Sequence, residues 1–167
     1  MVRMCEKCLG VYQTVFLKSH EDGIYNCPNA ECGHPELIAV DDQLVDIVVD
    51  FYKLGLPTKY CCSGHAYTVL FNPYIRFELA TVKLANMLYT DLLDFKAENK
   101  ALSKYCHVSI KNTDVGRFLD LEAVRNKDSG KHFDIDQRME IQRGFVDFVR
   151  AFIKRLKQEV AAKENAN

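Results

Sequence analysis

The sequence predicts an α+β protein: a mostly antiparallel sheet covered by helices, with a small cysteine-rich module packed on it at the N-terminus. Three observations carry this. Four of the seven cysteines stand as two close pairs within the first 32 residues. Residues 105–110 and 119–123 alternate apolar and polar side chains across a short turn, as the arms of a hairpin do. Three longer stretches place apolar residues at helical spacing, with no internal repeat or low-complexity linker between them.

At 167 residues, 48% hydrophobic and 27% charged, the chain can bury an ordinary core. It contains no apolar run near the roughly 18 residues that a membrane span requires. The opening MVRMCEKCLG lacks the apolar stretch of a secretion signal. Lys+Arg 22 against Asp+Glu 23 leaves a net charge of -1, so bulk attraction to nucleic acid is not indicated. Seven cysteines, an odd number grouped partly in ligand spacings, point to metal binding in a reducing cytoplasm rather than to disulfides.

Cys5 and Cys8 form a C-x2-C pair and Cys27 and Cys32 a C-x4-C pair, with eighteen residues between them. Each spacing brings two thiolates to one ion from a tight turn, so that four sulfurs can surround Zn2+ tetrahedrally. Gly10 and Gly33 follow the pairs, where a knuckle calls for positive φ. Residues 11–19 read as a strand, 20–23 as a turn, 24–26 as a returning strand and 36–40 as a third strand. Over residues 1–40 this layout resembles the zinc ribbons. The wide second spacing leaves His34 as an alternative to Cys32 for the fourth ligand. The charges Lys7, Lys18, Glu21, Asp22 and Glu31 are mixed, which favours a supporting or docking role over nucleic-acid reading.

Asp41 and Asp42 are N-cap candidates for a strongly apolar helix that Gly55 ends. Residues 58–61 are extended. Tyr67, Val69 and Phe71 suggest a strand that Asn72-Pro73 interrupts before residues 74–79 resume it. Residues 81–100 form a helix with Ala85, Leu88, Leu92 and Phe95 on one stripe. Residues 112–116 and 126–131 are turns flanking the hairpin arm in which Leu119, Leu121 and Ala123 alternate with Asp120 and Glu122. Asp134 and Gln137 have capping-box spacing and open the last helix, whose stripe includes Ile141, Phe145, Phe148 and Phe152. The division expected is a zinc ribbon over 1–40, an α+β ligand-binding domain over 41–160 and a frayed tail over 161–167.

Residues 54–71, LGLPTKYCCSGHAYTVLF, concentrate reactive side chains around Gly64. A Ser-Gly turn at a strand end leaves consecutive N–H groups that can cradle an anion, with hydroxyls and an imidazole beside them. The candidate ligand-binding residues are Thr58, Cys62, Ser63, Gly64, His65 and Tyr67, and Tyr60, Phe71 and Tyr74 are available to stack a base. Other readings stay open. Cys61 or Cys62 is a possible nucleophile with His65, although no base-orienting third residue is apparent. Cys62 and His65 are possible partners of Cys106 and His107 in a second metal site. A tight turn with simply buried cysteines needs no function at all. Neither a P-loop nor a dinucleotide fingerprint is present, and no catalytic residue is assigned.

An apolar helix ending in glycine, then Thr58, a short strand and Cys62-Ser63-Gly64-His65, behind a cysteine ribbon, is similar to small zinc-ribbon proteins of Gram-positive bacteria and their phages. More remotely, Thr58 with Cys62-Ser63-Gly64 resembles the Ser/Cys-Ser-Gly loop of the wybutosine-synthesis methyltransferase family, which modifies tRNA with S-adenosylmethionine. His65 stands where that family carries arginine. The resemblance implies a nucleotide-like ligand. The expectation is therefore a Zn2+-containing protein that binds a small anion, a nucleotide or nucleotide-derived signal, at residues 58–65. A phage-encoded version would sequester a defence signal in the host cytoplasm. The alternatives are an interaction protein docking on a host protein or nucleic acid through the ribbon, and an enzyme modifying RNA or a nucleotide.

Overall fold

Two antiparallel sheets and three α-helices make up the mixed α+β architecture of the computed structural model, which describes residues 1–18, 24–67, 71–79, 81–113, 116–123 and 133–165. The N-terminal sheet joins β1 (Val2–Met4), β2 (Val11–Gln13) and β3 (Ile38–Val40) in the order β2-β1-β3. The larger sheet joins β4 (Thr58–Cys62), β5 (Tyr74–Glu78), β6 (Cys106–Thr113) and β7 (Gly116–Ala123) in the order β4-β5-β7-β6. Helices α1 (Val45–Lys53), α2 (Val82–Glu98) and α3 (Ile135–Glu164) complete it. No helix among the described residues is long and apolar enough to cross a membrane.

Local chemistry sets the helix ends. Thr81 Oγ1 accepts from the Leu84 N–H at 3.1 Å and starts α2. Asp134 and Gln137 make both bonds of a capping box, at 2.8 and 3.2 Å, and start α3. Gly55, at φ 71°, closes α1 in the left-handed conformation that glycine adopts without strain. A 3₁₀ turn, Asp42–Leu44, leads into α1, and Asp41 before it makes no side-chain cap. The carboxylate is engaged elsewhere, as described below.

The helices pack on one face of the larger sheet. Phe51 of α1 meets Phe77 of β5 edge-to-face at 4.9 Å, and Phe95 of α2 lies 5.3 and 5.4 Å from Phe148 and Phe152 of α3. Val2, Met4 and Val40 of the N-terminal sheet bury into this same core, so the cysteine module shares a hydrophobic interior with the rest of the chain. The opposite sheet face is polar. There Arg76 on β5 grips Asp120 on β7 through two bonds, Nε to Oδ1 at 2.7 Å and Nη2 to Oδ2 at 2.8 Å. Lys111 on β6 reaches Asp120 at 2.7 Å and Glu122 at 2.8 Å.

Several local expectations are corrected. The 11–19 strand ends at Gln13, where a 3₁₀ turn, Thr14–Phe16, takes over, and residues 24–26 form no strand. The ribbon's sheet is completed instead by β1, whose pairing with both β2 and β3 occupies the backbone groups expected of that return strand. Tyr67 lies in a turn and Phe71 in no strand, because the hairpin partner of β4 starts only at Tyr74, beyond Pro73. Positive φ after the first cysteine pair falls on Leu9 (57°) rather than Gly10, while Gly33 has the expected value of 58°. The turn at 112–116 shortens, since β6 continues to Thr113 and β7 begins at Gly116. The turns at 126–131 and 20–23 and Val69 lie outside the described residues.

Candidate metal centre and the adjoining loop

The first knuckle folds because the Cys5 N–H bonds the Gly10 carbonyl and the Leu9 N–H bonds the Cys5 carbonyl, each at 2.9 Å. The second is closed by bonds from the Cys27 N–H to the His34 carbonyl and from the Cys32 N–H to the Asn29 carbonyl, at 2.9 and 3.0 Å. The Asn29 side chain also accepts from the Glu31 N–H at 3.0 Å, which accounts for the extra length of the C-x4-C spacing. As a result the sulfurs of Cys5, Cys8, Cys27 and Cys32 all lie within 4.8 Å of one another. Cys5 and Cys32 are 3.5 Å apart and Cys8 and Cys27 3.6 Å. A tetrahedral ion with metal–sulfur bonds of about 2.3 Å separates its ligands by roughly 3.8 Å. The four cysteines can therefore hold a metal ion with little movement. His34 is not among the converging donors, so Cys32 and not His34 completes the set of four that could hold a metal.

Cys5, Cys27 and Cys32 are buried with Leu37 beneath Tyr12, Leu17 and Tyr25, whereas Cys8 is exposed. The backbone N–H of Gly10 stabilises the Cys8 thiolate and lowers its pKa to about 6, while burial pushes Cys5 up to about 12. A metal entering the cluster must displace the Cys5 proton, so affinity falls with falling pH. The Tyr12 hydroxyl stands 3.5 Å from Cys27 Sγ and 3.9 Å from Cys8 Sγ, an outer contact that orients the sulfurs.

The reactive loop follows β4 and is pinned from two directions. Asp41, just past β3, accepts at one carboxylate oxygen from the Ser63 N–H (2.8 Å) and the Ser63 hydroxyl (3.2 Å). From α3, Gln142 Nε2 donates to the Gly64 carbonyl and lies 3.4 Å from Ser63 Oγ, and Arg138 donates to the Ala66 carbonyl at 3.3 Å. The Gly64 N–H donates to Cys62 Sγ at 3.3 Å. The two N–H groups expected to cradle an anion are thus engaged within the fold, one of them by a carboxylate. Gly64 has φ 80°, and a Cβ there would lie 2.6 Å from Pro73 Cγ. Gly64→Ala is therefore expected to cost roughly 2–4 kcal/mol, combining left-handed strain with overpacking, and to release the loop. A thermal melt and amide exchange at residues 62–66 check this; wild-type values in both would exclude it.

The sequence-derived site residues separate into two groups. Cys62, Ser63, Gly64, His65 and Tyr67 are contiguous on the loop, with His65 55% exposed in its side chain and Tyr67 78% exposed overall. Thr58 is buried at the far end of β4, paired opposite Phe77 on the core side, and does not reach the loop. Nor do Cys106 and His107 join it. Cys106 is buried under the helices, and His107 on β6 pairs with Glu122 on β7, with two strands between β6 and β4. The residue missed from sequence is Asp41, whose carboxylate lies within 4.8 Å of the Cys62 and His65 donor atoms, 4.0 Å from His65 Nε2. Its place before an apolar helix signals a cap, and only the tertiary fold redirects it.

Beside the loop, Gln43, Met139, Gln142, Arg143, Val146, Asp147 and Arg150 line a cleft of about 290 Å³. The Tyr67 hydroxyl touches Met139 Sδ at 3.8 Å, and Gln142 belongs to both cleft and loop. Comparison of the chain with protein-family models, curated proteins and solved structures returned no match.

Proposed function

We propose that this protein is a zinc-containing small-molecule-binding protein. The four cysteines hold a structural Zn2+, and the 62–67 loop with its adjoining cleft takes a small anionic ligand, a nucleotide or nucleotide-derived signal. One observation carries the ligand reading: a loop fastened by Asp41, Gln142 and Arg138 presents His65 and Tyr67 to solvent beside a cleft that contains Arg143 and Arg150. A fastened backbone with exposed aromatic and cationic side chains suits recognition without rearrangement. Since the loop N–H groups are internally bonded, the anion's charge is met by Arg143, and the loop offers the exposed His65 as a further polar contact. The Tyr67 ring supplies a stacking face for a base. Thiolate ligation in a closed four-sulfur set favours zinc among common divalent ions. The resemblance to ribbon proteins of Gram-positive bacteria and their phages fits sequestration of a host signal, which needs binding and no turnover.

Native mass spectrometry of freshly purified protein is expected to find one zinc in the cysteine centre and a co-purifying nucleotide-like mass. Arg143→Ala and His65→Ala are each expected to weaken that ligand by about tenfold or more, the worth of one charge-assisted hydrogen bond. Clean protein that ignores a nucleotide panel in calorimetry would end the ligand reading.

A second reading has its own support. Val15 and Phe16, in the 3₁₀ turn after β2, are 83% and 84% exposed, a hydrophobic tip on the ribbon suited to docking on a host protein. Under that reading Phe16→Ser abolishes partner binding and Arg143→Ala is silent.

A further inference from the structure

We propose that Asp41, Cys62 and His65 form a second metal site, for Zn2+ or a similar borderline ion, with one coordination position left open to an oxygen donor of the anionic ligand. The donor set is one carboxylate oxygen, one thiolate and one imidazole nitrogen, all types that zinc accepts. The donor atoms lie within 4.8 Å of one another, with Asp41 Oδ2 4.0 Å from His65 Nε2. Donors around a four-coordinate zinc stand roughly 3.3–3.8 Å apart, so adjustments of about 1 Å or less close the site. The most exposed of the three is His65, whose side chain is half exposed.

The surroundings are those of an outer ligand shell. The Ser63 N–H and hydroxyl fix the Asp41 carboxylate, and the Gly64 N–H bonds the Cys62 sulfur. Asp41 is buried, and no lysine or arginine forms an ion pair with it among the described residues; the His65 imidazole lies 4.0 Å from its carboxylate. A dication supplies the missing charge, and with one thiolate and one carboxylate the zinc site sums to zero. That matters for the ligand. Without a metal, an anion near the loop faces the Asp41 carboxylate; with it, the anion meets a neutral centre that has a vacant position. The four-cysteine centre is closed by its own protein ligands, whereas three ligands here leave room for a fourth. The inference rests on the ligand reading only for what fills that position.

The test uses the full chain with its cysteine centre loaded, titrated with Zn2+ alone by equilibrium dialysis and metal analysis. The wild type is expected to bind two ions per chain. His65→Ala and Cys62→Ser are expected to keep the first and lose the second, weakening it by more than the roughly 10–100-fold that an outer-shell partner is worth. His107→Ala, on the exposed sheet face, should retain both. Far-UV circular dichroism confirms that the His65→Ala chain is folded. One ion per wild-type chain, or a second ion that survives in both variants, overturns the proposal. Two ions with no nucleotide binding would sink the ligand reading and leave this site standing; nucleotide binding with one ion would do the reverse.

Discussion

Stripping the proposed zinc from the four-cysteine centre is expected to unfold more than the first forty residues. The module cannot build its own interior: Leu37 and three of the cysteines are its buried apolar set. Structural zinc contributes about 10–16 kcal/mol in isolated zinc-finger peptides, as much as the roughly 5–15 kcal/mol of a whole domain. Losing it frees β1 and β3, and with them Val2, Met4 and Val40 leave the common core. Each of those side chains is worth roughly 1.5–3 kcal/mol when buried, so their exposure weakens the core shared with the helices and the larger sheet. Chelator-treated protein, and a Cys5→Ser variant, should therefore melt in one transition at a much lower temperature. A ribbon that loses structure while residues 45–165 melt unchanged would separate the two parts and refute the shared core.

Asp120→Ala is expected to be the most damaging single substitution on the polar face of the sheet. Asp120 is 0% exposed and holds both Arg76 and Lys111, so its removal leaves the partly buried Arg76 without its carboxylate and Lys111 with Glu122 alone. Breaking a buried pair from one side costs about 3–5 kcal/mol. The pH dependence follows from the same contacts. Burial by itself would raise the Asp120 carboxyl, but hydrogen bonds from Arg76 and Lys111 outweigh it and hold the pKa below the ordinary aspartate value. A depressed folded-state pKa contributes stability that is complete above the unfolded value and is lost as pH falls through the folded one. Denaturant titrations of wild type and Asp120→Asn from neutral to acid pH check this. The wild-type curve should fall more steeply in acid, and parallel curves would exclude the role.

What the sequence disclosed, and what it hid, divides by the range of the interaction. The Asp134–Gln137 box and Gly55 act within one turn of chain, and each does what its spacing indicates. The cysteine pairs were legible because a metal needs a fixed donor number, whatever the fold around it. Asp41 was not, because its cap propensity is local while the Ser63 bonds that win span 22 residues. Asp120 alternates with Leu119 and Leu121 and so suggests a solvated face; only the approach of Arg76 and Lys111 from neighbouring strands buries it. Thr58 joined the loop on paper because it is close in sequence, yet a register shift between Thr58 and Tyr60 breaks the alternation along β4 and turns it to the core. β1 was missed because three residues beside a ligand pair leave no room for a visible pattern.

The Tyr52 hydroxyl connects the metal knuckle to β4. It lies within hydrogen-bond reach of the Glu6 carboxylate, between the first two cysteines, and of the Thr58 carbonyl, 3.0 Å away. β4 is an edge strand, and an open edge is a template for adding a strand from another molecule. The Tyr52 hydroxyl occupies the Thr58 carbonyl of that strand, and Glu6 of the knuckle bonds the same hydroxyl. Metal loss therefore also removes a guard against self-association, and zinc-depleted protein should aggregate through β4 before it is fully unfolded.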